Sequence, residues 1–356
     1  MQFLMAGGGT GGHVIPLIAV AQELRDRGHE AVFVGTENGI EARLVPAAGF
    51  RIEYISIGGL KSVGTMQKLI SLRQLMRGTG QQTRRMGTAR PAAVFSMGGY
   101  VAGPPVLAAL MRRIPVVVME PNAVPGFTNR RIARFVSRAL IGFESTGSYF
   151  PRGKTEVTGV PVREAFFRLA PEPKDAAFSV LITGGSQGSR TLNEAARASW
   201  PLFRESGLPV RFLHQTGSAG FDSVQREFAE SGCAGEVKAF IKDMPAAFAE
   251  ANLIVCRSGA GAVAELAAAG KPSILIPFPF AADQHQLRNA EAFEQAGAAR
   301  LVLDREWTGG KFFEIASALA KEPETLESMG NAARKLAHPR AARRAAEILE
   351  EVARGK

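Results

Sequence analysis

Residues 2–20 read QFLMAGGGTGGHVIPLIAV, in which five glycines surround Thr10 and His13 follows directly. The residues before the glycines are typical of a buried strand, and those after them repeat apolar side chains at helical spacing. Glycines this dense remove side chains from the turn, so the backbone can approach a ligand closely. The stretch therefore predicts a strand, a ligand-binding loop and a helix, which together begin a βαβ unit.

The same order of elements returns in the second half of the chain, where residues 178–196 read FSVLITGGSQGSRTLNEAA. Elsewhere short apolar runs alternate with helical patterns, which is typical of parallel sheets covered by helices on both faces. The predicted strands are QFLMA, EAVFVG, AAVFSM, PVVVME and RALIGF in the first half, and FSVLIT, VRFLHQ, EVKAF, LIVCR and SILIPF in the second. We expect an α/β protein with two doubly wound, Rossmann-like domains that face a cleft.

The two domains are expected to join within residues 161–175, a stretch rich in proline and charge. We assign residues 1–163 to the N-terminal domain and 164–339 to the C-terminal domain, and expect a helix at 340–356 to pack back on the N-terminal domain. Residues 1–163 hold 20 Lys and Arg against 9 Asp and Glu, whereas the rest of the chain is almost neutral. This asymmetry indicates an anionic partner, either nucleic acid, a phospholipid surface or a phosphorylated substrate, or else a solvated basic face without a partner.

Composition narrows the class of protein further. The chain has 356 residues and is 46% hydrophobic, which is enough for more than one core. Its two cysteines, Cys233 and Cys256, lie far apart in the sequence. Their spacing argues against disulfides and a cysteine zinc site, and favours a reducing, cytoplasmic compartment. The sequence shows neither an apolar run of the roughly 18 residues that a membrane-spanning helix needs nor the charged start of a secretory signal.

Gly7, Gly9 and Gly12 satisfy the G-x-G-x-x-G pattern of dinucleotide-binding oxidoreductases. That class also needs an acidic residue near the end of the second strand to hold a ribose, and Glu37 stands at about that place. A simple dehydrogenase, however, has no use for a second glycine loop or for the third glycine stretch, SMGGYVAGPP, at residues 96–105. An NAD-dependent oxidoreductase therefore remains as a minor alternative.

Five motifs follow one another along the chain: GGGTGGHVIP, SMGGYVAGP, EPNAVPGFTN, GGSQGSRTLN and CRSGAGAVAELAAAGKP. Together they resemble the MurG family of bacterial glycosyltransferases, over nearly the whole chain. The resemblance implies a fold of the GT-B type, with the acceptor on the N-terminal domain and UDP-N-acetylglucosamine on the C-terminal one. It also implies an inverting transfer of N-acetylglucosamine to O4 of undecaprenyl-pyrophosphoryl-N-acetylmuramyl-pentapeptide, which completes lipid II in peptidoglycan synthesis.

The resemblance assigns a set of residues to the donor. Glu265 would accept hydrogen bonds from both ribose hydroxyls, the main chain of Ile241 would pair with the uracil edge, and Asn122 would contact the sugar. His285 and Gln286 would hold the sugar hydroxyls. The remaining donor-binding residues that the motifs imply are Thr10, Gly11, Gly12, Arg163, Ser186, Gln187, Ala260, Gly261, Ala262, Val263 and Ala264.

The transfer needs a base and a means of stabilising the departing UDP. An inverting displacement requires one group to take the proton of the acceptor O4, and a histidine suits this task near neutral pH. His13 is the candidate, although a histidine at this place can also serve to buttress the start of the helix. Because the chain contains no Asp-x-Asp pair, we expect no protein-bound catalytic metal and no cofactor. Main-chain N–H groups of GGSQGSR, together with the Ser186 hydroxyl, would stabilise the leaving group instead.

The acceptor would be held by glycine-rich main chain and by a membrane-facing helix. Gly9, Gly98 and Gly99 would surround the lipid pyrophosphate, with Tyr100 at the edge of the site. Between residues 61 and 90 an apolar helical face is accompanied by basic side chains. Its apolar members are Met66, Leu69, Ile70, Leu72, Leu75 and Met76, and the basic ones are Lys61, Lys68, Arg73, Arg77, Arg84 and Arg85. Such a helix can lie in an anionic membrane interface, although its apolar face can equally pack on the domain core.

These expectations place the protein peripherally on the cytoplasmic face of the bacterial inner membrane. A basic module that binds nucleic acid is a further alternative, but it leaves the near-neutral second domain unexplained, so we expect no nucleic-acid partner. The nearest alternative is another UDP-sugar transferase of the same fold with a different lipid acceptor, such as a diacylglycerol. Glycine loops alone do not separate these two transferases.

Overall fold

The computed structural model describes residues 1–57, 65–169 and 177–355, and of residues 65–69 it describes only the backbone. The chain forms two compact units, of which the first contains Met1–Val162 with His338–Lys356 and the second Arg163–Ala337. Each unit is built on one parallel sheet with helices on its faces. The predicted fold class, two Rossmann-like α/β domains, is confirmed.

Among its described residues the first unit contains seven strands and, before residue 163, five helices. The strands are β1 (Gln2–Ala6), β2 (Glu30–Gly35), β3 (Arg51–Tyr54), β4 (Ala93–Ser96), β5 (Val116–Glu120), β6 (Arg138–Ile141) and β7 (Thr155–Val157). The helices are α1 (Gly11–Asp26), α2 (Glu41–Ala47), α3 (Thr65–Thr88), α4 (Gly103–Met111) and α5 (Phe127–Ile132). The strand order is β3-β2-β1-β4-β5-β6-β7, so the direction of winding reverses between β1 and β4.

Strand β1 shows why this sequence forms a sheet covered on both faces. Successive side chains of a strand point to opposite faces. Phe3 and Met5 accordingly pack in one core with Leu17 of α1, whereas Leu4 packs in a second core with Val106 of α4. A parallel strand that is buried on both sides has an almost continuous apolar sequence, which is what QFLMA shows.

The part of the second unit that the structure describes contains six strands and seven helices. The strands are β8 (Phe178–Thr183), β9 (Val210–Gln215), β10 (Ala234–Lys238), β11 (Leu253–Cys256), β12 (Ser273–Leu275) and β13 (Ala299–Leu301). The helices are α6 (Arg190–Ser206), α7 (Phe221–Ser231), α8 (Met244–Glu250), α9 (Ala260–Ala269), α10 (His285–Gln295), α11 (Gly309–Ala320) and α12 (Pro323–Lys335). In the order β10-β9-β8-β11-β12-β13 the winding reverses between β8 and β11.

Short 3₁₀ turns are the remaining described elements of the two units, and the last helix belongs to the first unit. The turns are Glu144–Tyr149, Glu164–Arg168, Ser218–Gly220, Ala282–Gln284 and Asp304–Glu306. The last helix, α13 (Ala341–Ala353), packs on α1 and places Ile348 and Leu349 in the core that Phe3 shares. Arg344 of α13 also pairs with Glu156 of β7 and Glu351.

Helix α3 packs on its neighbour α4, and most of its described apolar side chains are exposed and not packed on the core. Ser71, Gln82 and Met86 are buried, and Gly78 lies against Pro104 of α4. The exposed apolar side chains include Ile70, Leu72 and Met76, whereas Leu75 is half-buried. Arg85 pairs with Glu53. Lys61 and the side chains of Met66, Lys68 and Leu69 lie outside the described residues. None of the described helices combines the length and apolarity needed to cross a bilayer.

Candidate functional site

Each unit has a crevice-forming position where the winding of its sheet reverses. Ligands bind at such positions because the two loops that follow the adjacent strands lead away in opposite directions. In the first unit Ala6 at the end of β1 pairs with Ser96 at the end of β4. In the second unit Thr183 at the end of β8 pairs with Cys256 at the end of β11. The four glycine-rich motifs that follow these residues therefore come together in two pairs, one pair in each unit.

In the first unit the two loops contact one another at glycines. Gly9, Gly98 and Gly99 have φ angles of +84°, +75° and +76°, a region that favours glycine. A Cβ atom on Gly9 would lie 3.2 Å from Tyr100, and one on Gly99 would lie 3.5 Å from His13 Nδ1. The structure thus brings four of the residues assigned to acceptor and catalysis within contact of one another.

His13 lies half-buried in the first turn of α1. Its Nδ1 is 3.2 Å from the Gly8 carbonyl oxygen and 3.4 Å from the Thr10 hydroxyl. A carbonyl oxygen can only accept, so a hydrogen bond between Nδ1 and Gly8 requires the ring proton on Nδ1. In a neutral ring, Nε2 is then the unprotonated nitrogen. Thr10, Gly11 and Gly12 form the start of the same helix, where N–H groups lack partners inside the helix.

Asn122 follows β5 and is fixed by a buried carboxylate that the sequence analysis did not single out. Glu120, the last residue of β5, accepts from the Asn122 main-chain N–H at 3.1 Å and from its side-chain amide at 3.0 Å. The same carboxylate accepts from Gly126 N–H and from the Asn129 amide, both at 3.0 Å. The sequence signal for Glu120 was a glutamate at the end of an otherwise apolar strand.

The second unit has a glycine loop between β8 and α6. Gly185 and Gly188 have φ angles of +83° and +74°, and a Cβ atom on Gly188 would overlap the Thr216 carbonyl. Ser189 caps α6 by accepting from Leu192 N–H at 3.4 Å. Ser186 and Gln187 lie exposed at the tip of the loop. The base of the loop therefore packs against the main chain that follows β9. Its tip faces solvent, where a ligand phosphate can enter.

An arginine that the sequence analysis missed connects this loop to the rest of the site. Arg257 follows β11 directly, and its Nη2 donates to the Ser189 hydroxyl at 2.7 Å. Its Nη1 donates to Asp304 and to the carbonyls of Ile276 and Pro277. The side chain is largely buried, with 13% of its surface exposed. A positive charge is thereby held beside the start of α6.

Glu265 and Arg163, both assigned to the nucleotide, contact each other in the second unit. Arg163 Nη2 donates to Glu265 Oε1 at 3.1 Å. Burial raises the pKa of the Glu265 carboxyl, and the Arg163 charge and hydrogen bond oppose that rise. The small residues before Glu265 form the first turns of α9 and are half-buried: Ala260, Gly261, Ala262 and Ala264. The Val263 side chain is buried, so only its main chain can serve a ligand.

The position assigned to the uracil edge already has an internal partner. Ile241 N–H donates to Gln215 Oε1 at 2.7 Å. The amide nitrogen of Gln215 donates in turn to the Thr183 hydroxyl at 3.2 Å and to the Gly185 carbonyl at 2.9 Å. A base that pairs with this N–H must therefore displace Gln215. The sequence analysis missed Gln215, which joins the predicted base site to the glycine loop.

His285 and Gln286 begin α10 after a strained segment. Asp283 and Gln284 both have a φ of +52°, which is uncommon for residues other than glycine and is concentrated at functional sites. His285 Nδ1 lies 2.6 Å from the Ala282 carbonyl, and Gln286 Oε1 accepts from Phe278 N–H at 3.0 Å. Both side chains are thus oriented by hydrogen bonds to neighbouring main chain.

The second unit contains groups that attract anions. Helices α6 and α9 start after neighbouring strands, and helix N-termini offer unpaired N–H groups and partial positive charge. Arg257 lies beside the first of them, and its guanidinium also pairs with Asp304. No group of three or more His, Cys, Asp or Glu side chains among the described residues is arranged to hold a metal ion.

Two family models match the chain and together cover most of it. Residues 3–141 match the glycosyltransferase family 28 N-terminal domain, and residues 179–345 match the glycosyltransferase family 28 C-terminal domain. The two matches fall on the two sheets, one on each. Both halves of the chain are therefore similar to the same family of enzymes.

Named relatives are similar over their full length. The chain is 65% identical to the UDP-N-acetylglucosamine–N-acetylmuramyl-(pentapeptide) pyrophosphoryl-undecaprenol N-acetylglucosamine transferase of Solibacter usitatus (strain Ellin6076), over 99% of this chain and 96% of the relative. The protein of the same name from Anaeromyxobacter sp. (strain Fw109-5) is 42% identical, over 99% and 94%. The crystal structure of Acinetobacter baumannii MurG superposes with a TM-score of 0.81 at 32% identity, over 98% of this chain and 99% of that one.

Proposed function

The chain belongs to glycosyltransferase family 28, in its MurG branch, and from that premise we propose the reaction and the residues that perform it. The enzyme transfers N-acetylglucosamine from UDP-N-acetylglucosamine to undecaprenyl-pyrophosphoryl-N-acetylmuramyl-pentapeptide, the reaction that its relatives' names describe. Identity of 65% over 99% of the chain supports this acceptor over a diacylglycerol. The same similarity excludes the oxidoreductase, and Glu37, which that alternative needed for a ribose, is exposed.

The observation that supports the residue assignments is the pairing of glycine motifs at the two winding reversals. In the second unit the donor diphosphate binds at the N-termini of α6 and α9, with Ser186 and Gln187 at the loop tip. The Glu265 carboxylate accepts from the ribose hydroxyls, as its place in the second turn of α9 permits. His285 and Gln286, at the start of α10, contact the sugar. The donor contacts assigned to the first unit, Thr10, Gly11, Gly12 and Asn122, stay predictions.

The first unit binds the acceptor and supplies the base. Gly9, Gly98 and Gly99 surround the lipid pyrophosphate, with Tyr100 against Gly9. The N–H groups of Gly9 and Gly98 already donate to the Glu41 carboxylate and the Ser96 hydroxyl, so other main-chain N–H groups of the two loops receive the pyrophosphate. Unprotonated Nε2 of His13 takes the proton of the acceptor O4 while that oxygen forms its bond to C1 of the sugar. The C1 bond to the UDP oxygen breaks on the opposite side, so the configuration inverts. N–H groups at the start of α6 and the Arg257 charge stabilise the departing UDP.

Exposed apolar side chains on α3 and α4 form the surface that contacts the membrane. They are Ile70, Leu72 and Met76 of α3 and Leu107 and Met111 of α4. Arg73, Arg77, Arg112 and Arg113 lie on or directly after the same helices. Apolar side chains that enter the headgroup boundary, accompanied by basic ones, are what binds an anionic leaflet. With such a surface and a lipid-linked acceptor, we place the protein peripherally on the cytoplasmic face of the inner membrane.

One assay tests the donor and the acceptor together. Purified protein is mixed with radiolabelled UDP-N-acetylglucosamine, a chelator and either a short-chain analogue of the muramyl-pentapeptide lipid or a diacylglycerol. Labelled disaccharide on the muramyl lipid alone is the expected result. Label on the diacylglycerol, or UDP binding without any transfer, would contradict the acceptor assignment. Absence of UDP binding would contradict the donor site in the second unit.

A further inference from the structure

A buried glutamate lies behind the first glycine loop. Glu41, the first residue of α2, has no exposed surface. Its carboxylate accepts from Gly9 N–H at 2.9 Å, from Thr36 N–H at 2.9 Å and from the Thr36 hydroxyl at 2.8 Å. Among the described residues no ion pair includes Glu41. Neutral donors from two loops therefore satisfy this carboxylate without a cation.

Three glycines make room for the Glu41 side chain. A Cβ atom on Gly8, Gly35 or Gly39 would lie less than 3.0 Å from an atom of Glu41. Real Cβ atoms almost never approach another atom so closely, so any larger residue would displace the carboxylate. The sequence analysis attributed all the glycines of the first loop to a ligand. Gly8 is instead required by a side chain of the protein itself.

Glu41 is joined to His13 through a single peptide group. The N–H of Gly9 and the carbonyl of Gly8 belong to the same peptide, which is planar. Glu41 binds the N–H, and His13 Nδ1 lies 3.2 Å from the carbonyl oxygen on the other side. Fixing the N–H therefore fixes the direction of the carbonyl that faces the imidazole. A negative charge at the N–H end also polarises the peptide and makes its oxygen a better acceptor.

The Glu41 carboxyl is held in the form that this arrangement needs. Burial raises its pKa, but the hydrogen bonds from Gly9 and Thr36 outweigh burial and leave the pKa below its ordinary value. An ionised carboxylate has only acceptor atoms, and every group that faces it here is a donor. The amide of a glutamine, in contrast, would turn an NH₂ group toward at least one of these donors.

We propose that Glu41 is a positioning residue for the transfer reaction: through the Gly8–Gly9 peptide it holds the His13 imidazole with its proton on Nδ1 and so leaves Nε2 to act as the base. Its role is that of the carboxylate which orients a catalytic histidine, with one peptide group between the two. The inference rests on the proposed function in one respect, namely that His13 is the base. The link between Glu41 and His13 is a separate claim that can be tested without substrate.

The test compares Glu41→Gln with Glu37→Gln, which alters an exposed carboxylate four residues earlier. Nitrogen NMR of labelled protein reports which ring nitrogen of His13 carries the proton, and the signal is assigned by its loss in His13→Ala. We expect the Nδ1–H form in the wild type and in Glu37→Gln, and a mixture of the two tautomers in Glu41→Gln. We also expect kcat to fall tenfold or more in Glu41→Gln, with the Kd of UDP-N-acetylglucosamine changed less than twofold.

Two results would overturn the inference. One is a wild-type His13 that carries its proton on Nε2, which needs no variant and holds even if Glu41→Gln fails to fold. The other is a folded Glu41→Gln variant whose tautomer and kcat match those of the wild type. If His13→Ala kept full turnover, the assignment of the base would fail instead. The tautomer measurement would still decide whether Glu41 orients His13.

Discussion

The Arg163 guanidinium donates to the Glu265 carboxylate at 3.1 Å, although the two residues stand 102 positions apart in the chain. Arg163 also lies over the ring of Phe166, which packs edge-on against Phe248. The arginine is thus held in place by an aromatic pair. Burial raises the pKa of the Glu265 carboxyl, and the Arg163 charge opposes that rise and so favours the charged carboxylate. That form accepts hydrogen bonds from two ribose hydroxyls at once.

Glu265→Gln is expected to weaken binding of UDP about 10- to 100-fold, because hydrogen bonds to a charged group contribute about 1.5–3 kcal/mol. Calorimetry with UDP and with 2′-deoxy-UDP checks the cause. The wild type should discriminate strongly between the two compounds, and the variant much less. Glu250→Gln, at the exposed end of α8, is the control and should bind both as the wild type does. Undiminished discrimination in Glu265→Gln would show that the carboxylate does not contact the ribose.

Met76→Asp combined with Met111→Asp is expected to lower binding to vesicles rich in phosphatidylglycerol at least tenfold. Both side chains are 69% exposed and apolar, and a carboxylate at either place opposes entry into an anionic headgroup layer. Cosedimentation with vesicles measures the effect. Each single variant is compared with Val157→Asp, which adds one carboxylate at an exposed apolar position on the edge strand β7 and should bind normally. An equal loss of vesicle binding in the Met76 and Met111 variants and in Val157→Asp would indicate general charge repulsion and not a specific membrane surface.

His214 should make the second unit sensitive to acid. Its side chain is fully buried, and burial lowers its pKa to about 4, whereas an unfolded histidine titrates near 6.5. Between these values the unfolded chain binds a proton that the folded chain does not. The free energy of unfolding should therefore fall as the pH falls from 6.5 to 4, by up to about 3 kcal/mol. Above pH 6.5 this contribution no longer changes.

Urea denaturation at pH 7 and pH 5 measures this dependence. Both tryptophans, Trp200 and Trp307, are buried in the second unit, so their fluorescence reports the unfolding of that unit. His214→Gln should be less stable at pH 7, because the hydrogen bond from Nε2 to Asn193 is altered. It should also lose less stability between pH 7 and pH 5 than the wild type. Parallel losses in both proteins would mean that another group causes the acid sensitivity.

The ten strands predicted from the sequence all occur, and the three that were not predicted share a physical cause. β3, β7 and β13 have the sequences RIEY, TEV and ARL. Each lies at the edge of its sheet and has only three or four residues. Edge strands are kept short and polar because long apolar edges promote aggregation. Such strands carry little of the apolar signal by which buried strands are recognised.

In the candidate site, motifs that occupy one stretch of sequence could be predicted, whereas contacts between distant residues could not. The glycine motifs were recognisable because each occupies one short stretch. The roles of three residues could not be recognised, because each contacts a partner far away in the sequence: Glu41, Gln215 and Arg257. Glu41 binds Gly9 across 32 residues and Arg257 binds Ser189 across 68. Only the pairing of β1 with β2 and of β8 with β11 brings these partners together.

The most direct test of the central claim is a pair of measurements on His13→Ala: the Kd of UDP-N-acetylglucosamine and the rate of a single turnover with the muramyl lipid analogue. A general base contributes about 10²- to 10⁴-fold to the rate. We expect a loss of that size in the single-turnover rate and a far smaller change in the Kd, because most of the proposed donor contacts lie in the second unit. Equal loss of rate and affinity, or a variant that reacts at the wild-type rate, would contradict the assignment of His13 as the base.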